Sequence, residues 1–183
     1  MLKYTLLGFL TYQPMTGYDL KHRMDSSTVH FWHAELSQIY TTLKSLEKEN
    51  LVSSSIQTQN DRPDKRIYTI TSSGINNFQR WLSDPVLELS PKKETIILKL
   101  FFAAQLDKNS LLSQLHLQVD LHQKQVLYFK ETTSRMVQKT ITEFPTLTRD
   151  ALFWEATRRF GQEYEELYVK WLEECIQLVE EKF

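Results

Sequence analysis

One helical pattern and two strand patterns follow one another in the first half of the chain, and their order constrains the fold more than any other feature. Apolar residues from Leu36 to Leu46 recur every three or four positions, which places them on one face of an α-helix. Residues 52–57 then alternate as a half-buried strand does, residues 60–64 have the composition of a turn, and residues 66–70 predict a returning strand. We therefore expect a helix that leads directly into a β-hairpin.

Two helices precede this unit and one follows it. Residues 2–12 predict a short, mostly apolar helix. Thr16 and Asp19 have the spacing of a capping box, in which each side chain bonds the other residue's backbone N–H, so a second helix should start there. Thr71 is placed to cap a fourth helix that ends near residue 82. Helix, helix, helix, hairpin, helix is the order of a winged helix-turn-helix.

Long helices dominate the rest of the chain. Residues 92–105 are dense in Ile, Leu and Phe, so we expect a buried helix there. Residues 107–142 predict one continuous helix of ~50 Å, capped by Asp107, and Thr148 is expected to cap a last helix that ends near residue 182. Two long antiparallel helices with apolar seams are typical of a bundle or a dimer interface.

The expected fold is mostly α. It has an N-terminal winged helix-turn-helix with a two-stranded β wing, and a C-terminal all-α dimerisation domain of long helices. Pro85 and Pro91 bracket a linker. We therefore divide the chain into a winged-helix domain, residues 1–83, a linker, residues 84–91, and a helical dimerisation and effector domain, residues 92–183.

Composition excludes several kinds of site. The one cysteine, Cys175, forms neither a disulfide framework nor a cysteine zinc site, and four unclustered glycines supply no phosphate-binding loop. No nucleophile elbow is present, and no apolar run reaches the ~18 residues of a membrane span. We expect a cytoplasmic protein that is not an enzyme, holds no metal or cofactor, and does not bind membranes.

The outer face of the central helix predicts a DNA-reading surface. Its side chains are short, polar and weakly basic, so they can enter a major groove and reach base edges and phosphates. Cations at the hairpin tip would lie on the DNA backbone, as those of a wing do. Up to residue 82 the chain has nine Lys/Arg and seven Asp/Glu, and thereafter thirteen and sixteen, which fits a nucleic-acid module joined to another domain. The candidate DNA contacts are Ser37, Gln38, Tyr40, Thr41, Lys44, Arg62, Lys65 and Arg66.

Two other interpretations of this face remain open. An ordinary solvated helix also carries Ser and Thr, and many helix-turn-helix modules bind proteins instead of DNA. The chain could therefore be a protein-interaction adaptor that keeps the fold without binding DNA. The salt dependence of DNA binding would separate the two functions, because neutralising phosphates makes affinity fall steeply with salt.

Motifs shared with a known family are spread over nearly the whole chain. Residues 17–20 read GYDL, residues 37–47 read SQIYTTLKSLE, residues 66–74 read RIYTITSSG, and residues 168–173 read YVKWLE. Asn50 stands before Leu-Val where the family usually has glycine, as a left-handed cap can. In this order the motifs resemble the second helix, recognition helix, second wing strand and late C-terminal signature of the long PadR family of bacterial transcriptional regulators.

The resemblance implies a homodimer that binds a near-palindromic double-stranded DNA operator, generally as a repressor. The C-terminal helices of the family dimerise, and some members release DNA when a small molecule binds; phenolic acids such as p-coumarate induce one branch. Residues 31–34 look like that branch. The dimer candidates, around the late signature, are Leu167, Tyr168, Trp171, Leu172 and Cys175.

A phenolic effector would need an apolar cavity with one or two polar anchors. We expect that cavity between the winged-helix domain and the C-terminal helices. The candidates are Tyr18, Phe31, Trp32, His33, Phe101, Phe129 and Trp154. Each aromatic residue could instead belong to the core, and Trp154 could fill the cavity. A constitutive repressor or an activator without a ligand is the alternative.

Overall fold

The protein folds as two compact units, Met1–Ser90 and Pro91–Phe183. The computed structural model describes residues 1–29, 31–58, 64–89 and 93–183. The predicted turn at 60–64 and the linker proline Pro91 therefore lie wholly or partly outside the described residues. Each unit has its own apolar core.

The first unit is a winged helix-turn-helix, as the sequence predicts. Its elements are α1 (Leu2–Leu10), β1 (Met15–Thr16), α2 (Gly17–Ser27), α3 (Leu36–Lys48), β2 (Val52–Gln57), β3 (Lys65–Ile70) and α4 (Ser72–Ser83). The expected hairpin forms between β2 and β3, and the short β1 adds a third antiparallel strand on the other side of β3. A strand of two residues shows no alternation, so the sequence pattern could not reveal it.

Local capping sets the ends of these helices. The Thr16 hydroxyl accepts the Asp19 N–H at 3.1 Å, and the Asp19 carboxylate accepts the Thr16 N–H at 3.0 Å, which confirms the predicted capping box. Thr71 caps α4 by accepting the Gly74 N–H at 3.0 Å. Asn50 follows α3 with φ of 56°, the left-handed conformation that turns the chain into β2.

The core of the first unit is built on one face of α3. Ile39, Leu43 and Leu46 are fully buried among leucines of α1 and α2, whereas Leu36 is only half-buried. Because these residues share one face, the polar face of α3 is directed to solvent.

The second unit consists of α5 (Thr95–Phe101), α6 (Lys108–Leu127), a π-helical segment (Tyr128–Thr133), α7 (Ser134–Glu143) and α8 (Thr148–Lys182). Its core lies between α6 and α8, and it includes Leu115 and Val119 opposite Tyr168 and Leu172. A helix does form within residues 92–105, but the prediction that it is buried was wrong. The observed helix α5 is shorter, its inner residues are only partly buried, and Phe101 and Phe102 are 81% and 60% exposed.

The predicted continuous helix at 107–142 is interrupted by the π-helical segment. The Phe129 side chain is 1% exposed there and packs against Gly161 of α8. The Phe129 carbonyl accepts hydrogen bonds from the Thr133 hydroxyl at 2.9 Å and from Arg158 of α8 at 3.0 Å. These bonds satisfy a carbonyl in the part of the helix where the regular bonding pattern is broken.

The start of α8 also differs from the sequence expectation. Leu147 occupies the N-cap position, and the Thr148 hydroxyl donates to the Pro145 carbonyl at 2.6 Å instead of capping the helix. Asp107 does cap α6, since its carboxylate accepts the Ser110 N–H at 2.9 Å. Within the described ranges, no helix is both long and apolar enough to cross a bilayer.

The contact between Gly161 and Phe129 gives a stability prediction. A Cβ on residue 161 would lie 2.6 Å from the Phe129 ring, so we expect Gly161→Val to overpack the core and lower the free energy of unfolding by about 1–3 kcal/mol. Ala156→Val, on an exposed position of the same helix, is the control. Equal denaturation midpoints for the two variants would contradict this packing role.

Candidate nucleic-acid interface

The outer face of α3 brings together the helical DNA candidates. Ser37, Gln38, Tyr40, Thr41 and Lys44 are all exposed. They lie opposite the buried apolar residues, so the core of the unit determines which way they point. The result is a convex, polar surface with one central cation, which suits entry into a groove.

Lys44 is the cation best placed for phosphate. Its amine has no carboxylate within 4.0 Å in the part of the chain that the structure describes. An exposed amine without an intramolecular partner gains most from a phosphate, because no existing ion pair has to be broken.

Gln38 already has an intramolecular role. Its side-chain oxygen accepts the Glu35 backbone N–H at 2.9 Å, which caps the start of α3. A bidentate contact with adenine uses both the oxygen and the nitrogen of the amide. One lone pair of the Gln38 oxygen is therefore already used, and a contact with adenine would have to use the other while the cap holds the side chain in one orientation. The spacing of the residues alone does not reveal this constraint.

Thr41 and Tyr40 are also engaged within the unit. The Thr41 hydroxyl donates to the Ser37 carbonyl at 2.9 Å, so its oxygen remains as an acceptor. The Tyr40 ring lies so close to Gly17 that a Cβ there would be 2.5 Å from it. Tyr40 thus packs α3 onto the start of α2, and only part of its ring is available to DNA.

The wing candidates differ from one another in their surroundings. Arg62 lies outside the described residues. Lys65 is exposed. Hydrogen bonds from Thr16 hold the pKa of Asp19 below its usual value, and the charge of Lys65 adds a smaller effect in the same direction. Arg66 is exposed but its side chain is directed to α3. Its guanidinium donates to Glu47 of α3 at 3.1 Å and to the Ser54 hydroxyl of β2 at 2.8 Å.

The effector candidates fall in both units. Tyr18, Phe31, Trp32 and His33 are exposed in the first unit, and the His33 ring bonds Glu35 at 2.9 Å. In the second unit Phe101 is exposed and Trp154 is half-buried. Phe129 is part of the core, so its side chain is closed off from solvent in a single chain, and its assignment to an effector site stays a prediction.

The second unit contains a groove of about 780 Å³ between α5 and α8. Its lining is mostly apolar and includes the exposed residues Ile97, Leu98, Phe101 and Leu167. Among the seven effector candidates, Phe101 lines this groove and the other six are not among its lining residues.

Polar groups at one end of the groove were missed by the sequence analysis. The Tyr164 hydroxyl donates to the Glu94 carboxylate at 2.7 Å. Burial, with a further contribution from Glu94, raises the pKa of Tyr168 to about 12. Glu94 and Tyr164 are 70 positions apart, so no local pattern could have joined them.

The dimer candidates are divided between surface and core. Leu167 is 65% exposed, and Trp171 and Cys175 are half-buried. Burial raises the pKa of the Cys175 thiol. Tyr168 and Leu172 belong to the core of a single chain, although Tyr168 also lines the groove between α5 and α8. Their assignment to a dimer interface stays a prediction. In the described ranges, no group of three His, Cys, Asp or Glu side chains is arranged to hold a metal ion.

Comparison of sequences relates the chain to transcriptional regulators. Residues 6–80 match the Transcriptional regulator PadR-like family, and residues 92–180 match the Virulence activator alpha C-term family. The Probable transcriptional regulator Rv1176c of Mycobacterium tuberculosis is 30% identical to this chain, and the match covers 99% of this chain and 98% of that protein. The Negative transcriptional regulator PadR of Bacillus subtilis is 33% identical over 59% of each chain.

Comparison of structures agrees with this relationship. B. subtilis PadR in complex with operator DNA has a TM-score of 0.84 to this chain at 25% identity, with 97% of each chain covered. B. subtilis PadR in complex with p-coumaric acid has a TM-score of 0.65 at 26% identity, with 98% of each covered. The resemblance seen in the motifs is thus confirmed: the chain belongs to the PadR-like family and is a transcriptional regulator, not an enzyme.

Proposed function

We propose that the protein is a homodimeric repressor that binds a near-palindromic operator through α3 and the wing, and that a small phenolic ligand releases it. The observation that carries the proposal is the outward polar face of α3, with Lys44 unpaired among the described residues and Ile39, Leu43 and Leu46 fully buried on the opposite face. The similarity to B. subtilis PadR in complex with operator DNA supports a DNA-binding role.

DNA binding would combine two kinds of contact. Lys44 and Lys65 supply charge for phosphates, while Ser37 and Thr41 can reach base edges in the major groove. Two copies of α3 in a symmetric dimer would occupy half-sites about 34 Å apart, or a multiple of that distance. Symmetry of the protein would then be matched by near-palindromic DNA.

A second copy of the chain is the occupant that we propose for the groove in the second unit. Phe101, Leu167 and their apolar neighbours are exposed in the single chain. Burying such a surface is favourable by roughly 25 cal/mol per Å². Trp171 also lines the groove and is half-buried, so it would take part in the contact. Cys175, one helical turn further along α8 and also half-buried, stays a candidate.

A phenolic ligand is supported by the similarity to B. subtilis PadR in complex with p-coumaric acid. The candidates for contacting it that are open to solvent in a single chain are Tyr18, Phe31, Trp32, His33, Phe101 and Trp154. Aromatic walls suit a phenolic ring, and His33 could supply a polar anchor.

Fluorescence anisotropy on the DNA upstream of the protein's own gene tests the proposal. Binding that weakens steeply with salt and is abolished by p-coumarate is the expected result. Binding that ignores p-coumarate would leave a repressor without this inducer. If a genome-wide selection of DNA fragments also yields no binding, the protein is an adaptor and the proposal fails.

Replacing Lys44 tests the DNA contact of α3. Lys44→Ala should weaken operator binding and reduce the slope of log K against log salt by about 0.9, because one phosphate contact is lost. Lys139→Ala removes the same charge from an exposed position in the second unit and should leave both quantities unchanged. An unaltered slope for Lys44→Ala would remove it from the phosphate contacts.

Two substitutions test the proposed dimer surface. Leu167→Asp places a charge on an exposed apolar position, and Trp171→Ala removes a half-buried ring beside it, so both should dissociate the dimer at micromolar concentration. Light scattering measures the mass, and circular dichroism checks that the helices remain. A folded Leu167→Asp variant that still has the mass of two chains would exclude this surface.

A further inference from the structure

A carboxylate joins the recognition helix to the wing. Glu47, in the last turn of α3, accepts a hydrogen bond from the Ser54 hydroxyl of β2 at 2.6 Å. It also accepts from the Arg66 guanidinium of β3, at 3.1 Å to one oxygen and 3.3 Å to the other. Arg66 closes the cluster by donating to the Ser54 hydroxyl at 2.8 Å.

Strand register explains why these groups meet. Ser54 pairs with Tyr68 and Ile56 pairs with Arg66, so Ser54, Arg66 and Tyr68 lie on one face of the hairpin. That face is directed to α3, where Tyr68 is buried in the core and the Arg66 guanidinium lies 5.8 Å from the centre of its ring. The cluster therefore forms a polar layer at the edge of the core.

Within the described residues, the side-chain hydrogen bonds that join α3 to the wing are those of this cluster. The hairpin starts directly after α3, so its base is fixed by the chain itself and by the Leu51 N–H, which donates to the Leu46 carbonyl at 2.9 Å. At the level of Ser54, Tyr68 is buried in the core and pairs with Met15 of β1, so β3 is held there as well. Beyond it, at Arg66, Glu47 fixes the hairpin to the helix.

We propose that Glu47 is a positioning residue that sets the angle of the wing against the recognition helix α3. The cluster of Glu47, Ser54 and Arg66 then acts as a clamp, in which Arg66 bonds Glu47 and does not contact DNA. The inference rests on the proposed DNA-binding function. With the clamp formed, Lys44 on α3 and Lys65 on the wing reach DNA as one rigid surface. Without it, the part of the wing beyond Tyr68 must be ordered on binding, which costs affinity.

The charge of Glu47 makes this proposal sharply testable. A carboxylate near the proposed DNA surface repels phosphates, so its removal should tighten binding if charge were its only effect. A positioning role predicts the opposite sign. The ion pair is partly exposed, with half of the Arg66 side chain accessible, so it adds little to global stability and the variants should remain folded.

The decisive variant is Glu47→Gln in the full-length protein. We expect it to weaken binding to the DNA upstream of the protein's own gene by up to about fivefold, which is what the loss of a partly exposed ion pair allows, without reducing the salt slope. Glu49→Gln is the matched control. It makes the same charge change two residues away, where the carboxylate pairs with Lys3 of α1 at 2.6 Å and not with the wing.

A double-mutant cycle separates the clamp from a direct contact by Arg66. If Arg66 acts through Glu47, Arg66→Gln weakens binding as much as Glu47→Gln does, the double variant is no weaker than either, and the salt slope is unchanged. A phosphate contact by Arg66 would instead lower the slope by about 0.9 and add to the effect of Glu47→Gln. Additivity of this kind, or tighter binding by Glu47→Gln, would overturn the proposal.

Hydrogen exchange tests the same clamp without DNA. Glu47→Gln should speed exchange of amides in the distal parts of β2 and β3, and leave those of α1 and the core of α3 unchanged. Unchanged wing amides would overturn the proposal even if DNA binding is weakened. Faster wing exchange in a chain that binds no DNA would instead mean that the clamp exists and the proposed function has failed.

Discussion

The burial of one face of α3 is the interaction on which the first unit depends. Ile39, Leu43 and Leu46 are removed from water against α1 and α2, and each such side chain favours folding by about 1.5–3 kcal/mol. Side chains on a helix turn together with its backbone, so this burial also orients Lys44 toward solvent. Core and proposed DNA surface are two faces of one helix, and a change in packing would move the cation.

Local features of the first unit could be predicted from the sequence, whereas contacts between distant residues could not. Thr16 and Thr71 act as caps, and Asn50 takes up its left-handed turn, through atoms within a few positions of each residue. The sequence assigns Arg66 to DNA because a cation on a hairpin suits phosphate. Its partner Glu47 is 19 positions away on α3, and only the packing of the hairpin against that helix brings the two together.

The second unit shows a different limit of sequence analysis. Apolar composition at 92–105 indicates that these side chains need to be covered, and it does not indicate which chain covers them. The prediction of a buried helix assumed cover within the chain, which the exposed Phe101 contradicts. Phe129 and Gly161 illustrate the same difficulty, because the ring packs against the glycine from a π-helical segment that no residue pattern marks.

The cap at the start of α3 has a consequence for how selective the protein can be. The oxygen of Gln38 that would accept a hydrogen bond from adenine already accepts one from the Glu35 N–H. A base contact would have to use the second lone pair of this oxygen, in the side-chain orientation that the cap fixes, so Gln38 has less freedom to adjust to a base than an uncapped glutamine. Discrimination would then depend more on the other contacts and on how readily the DNA duplex adopts the shape that two copies of the helix in the proposed dimer require.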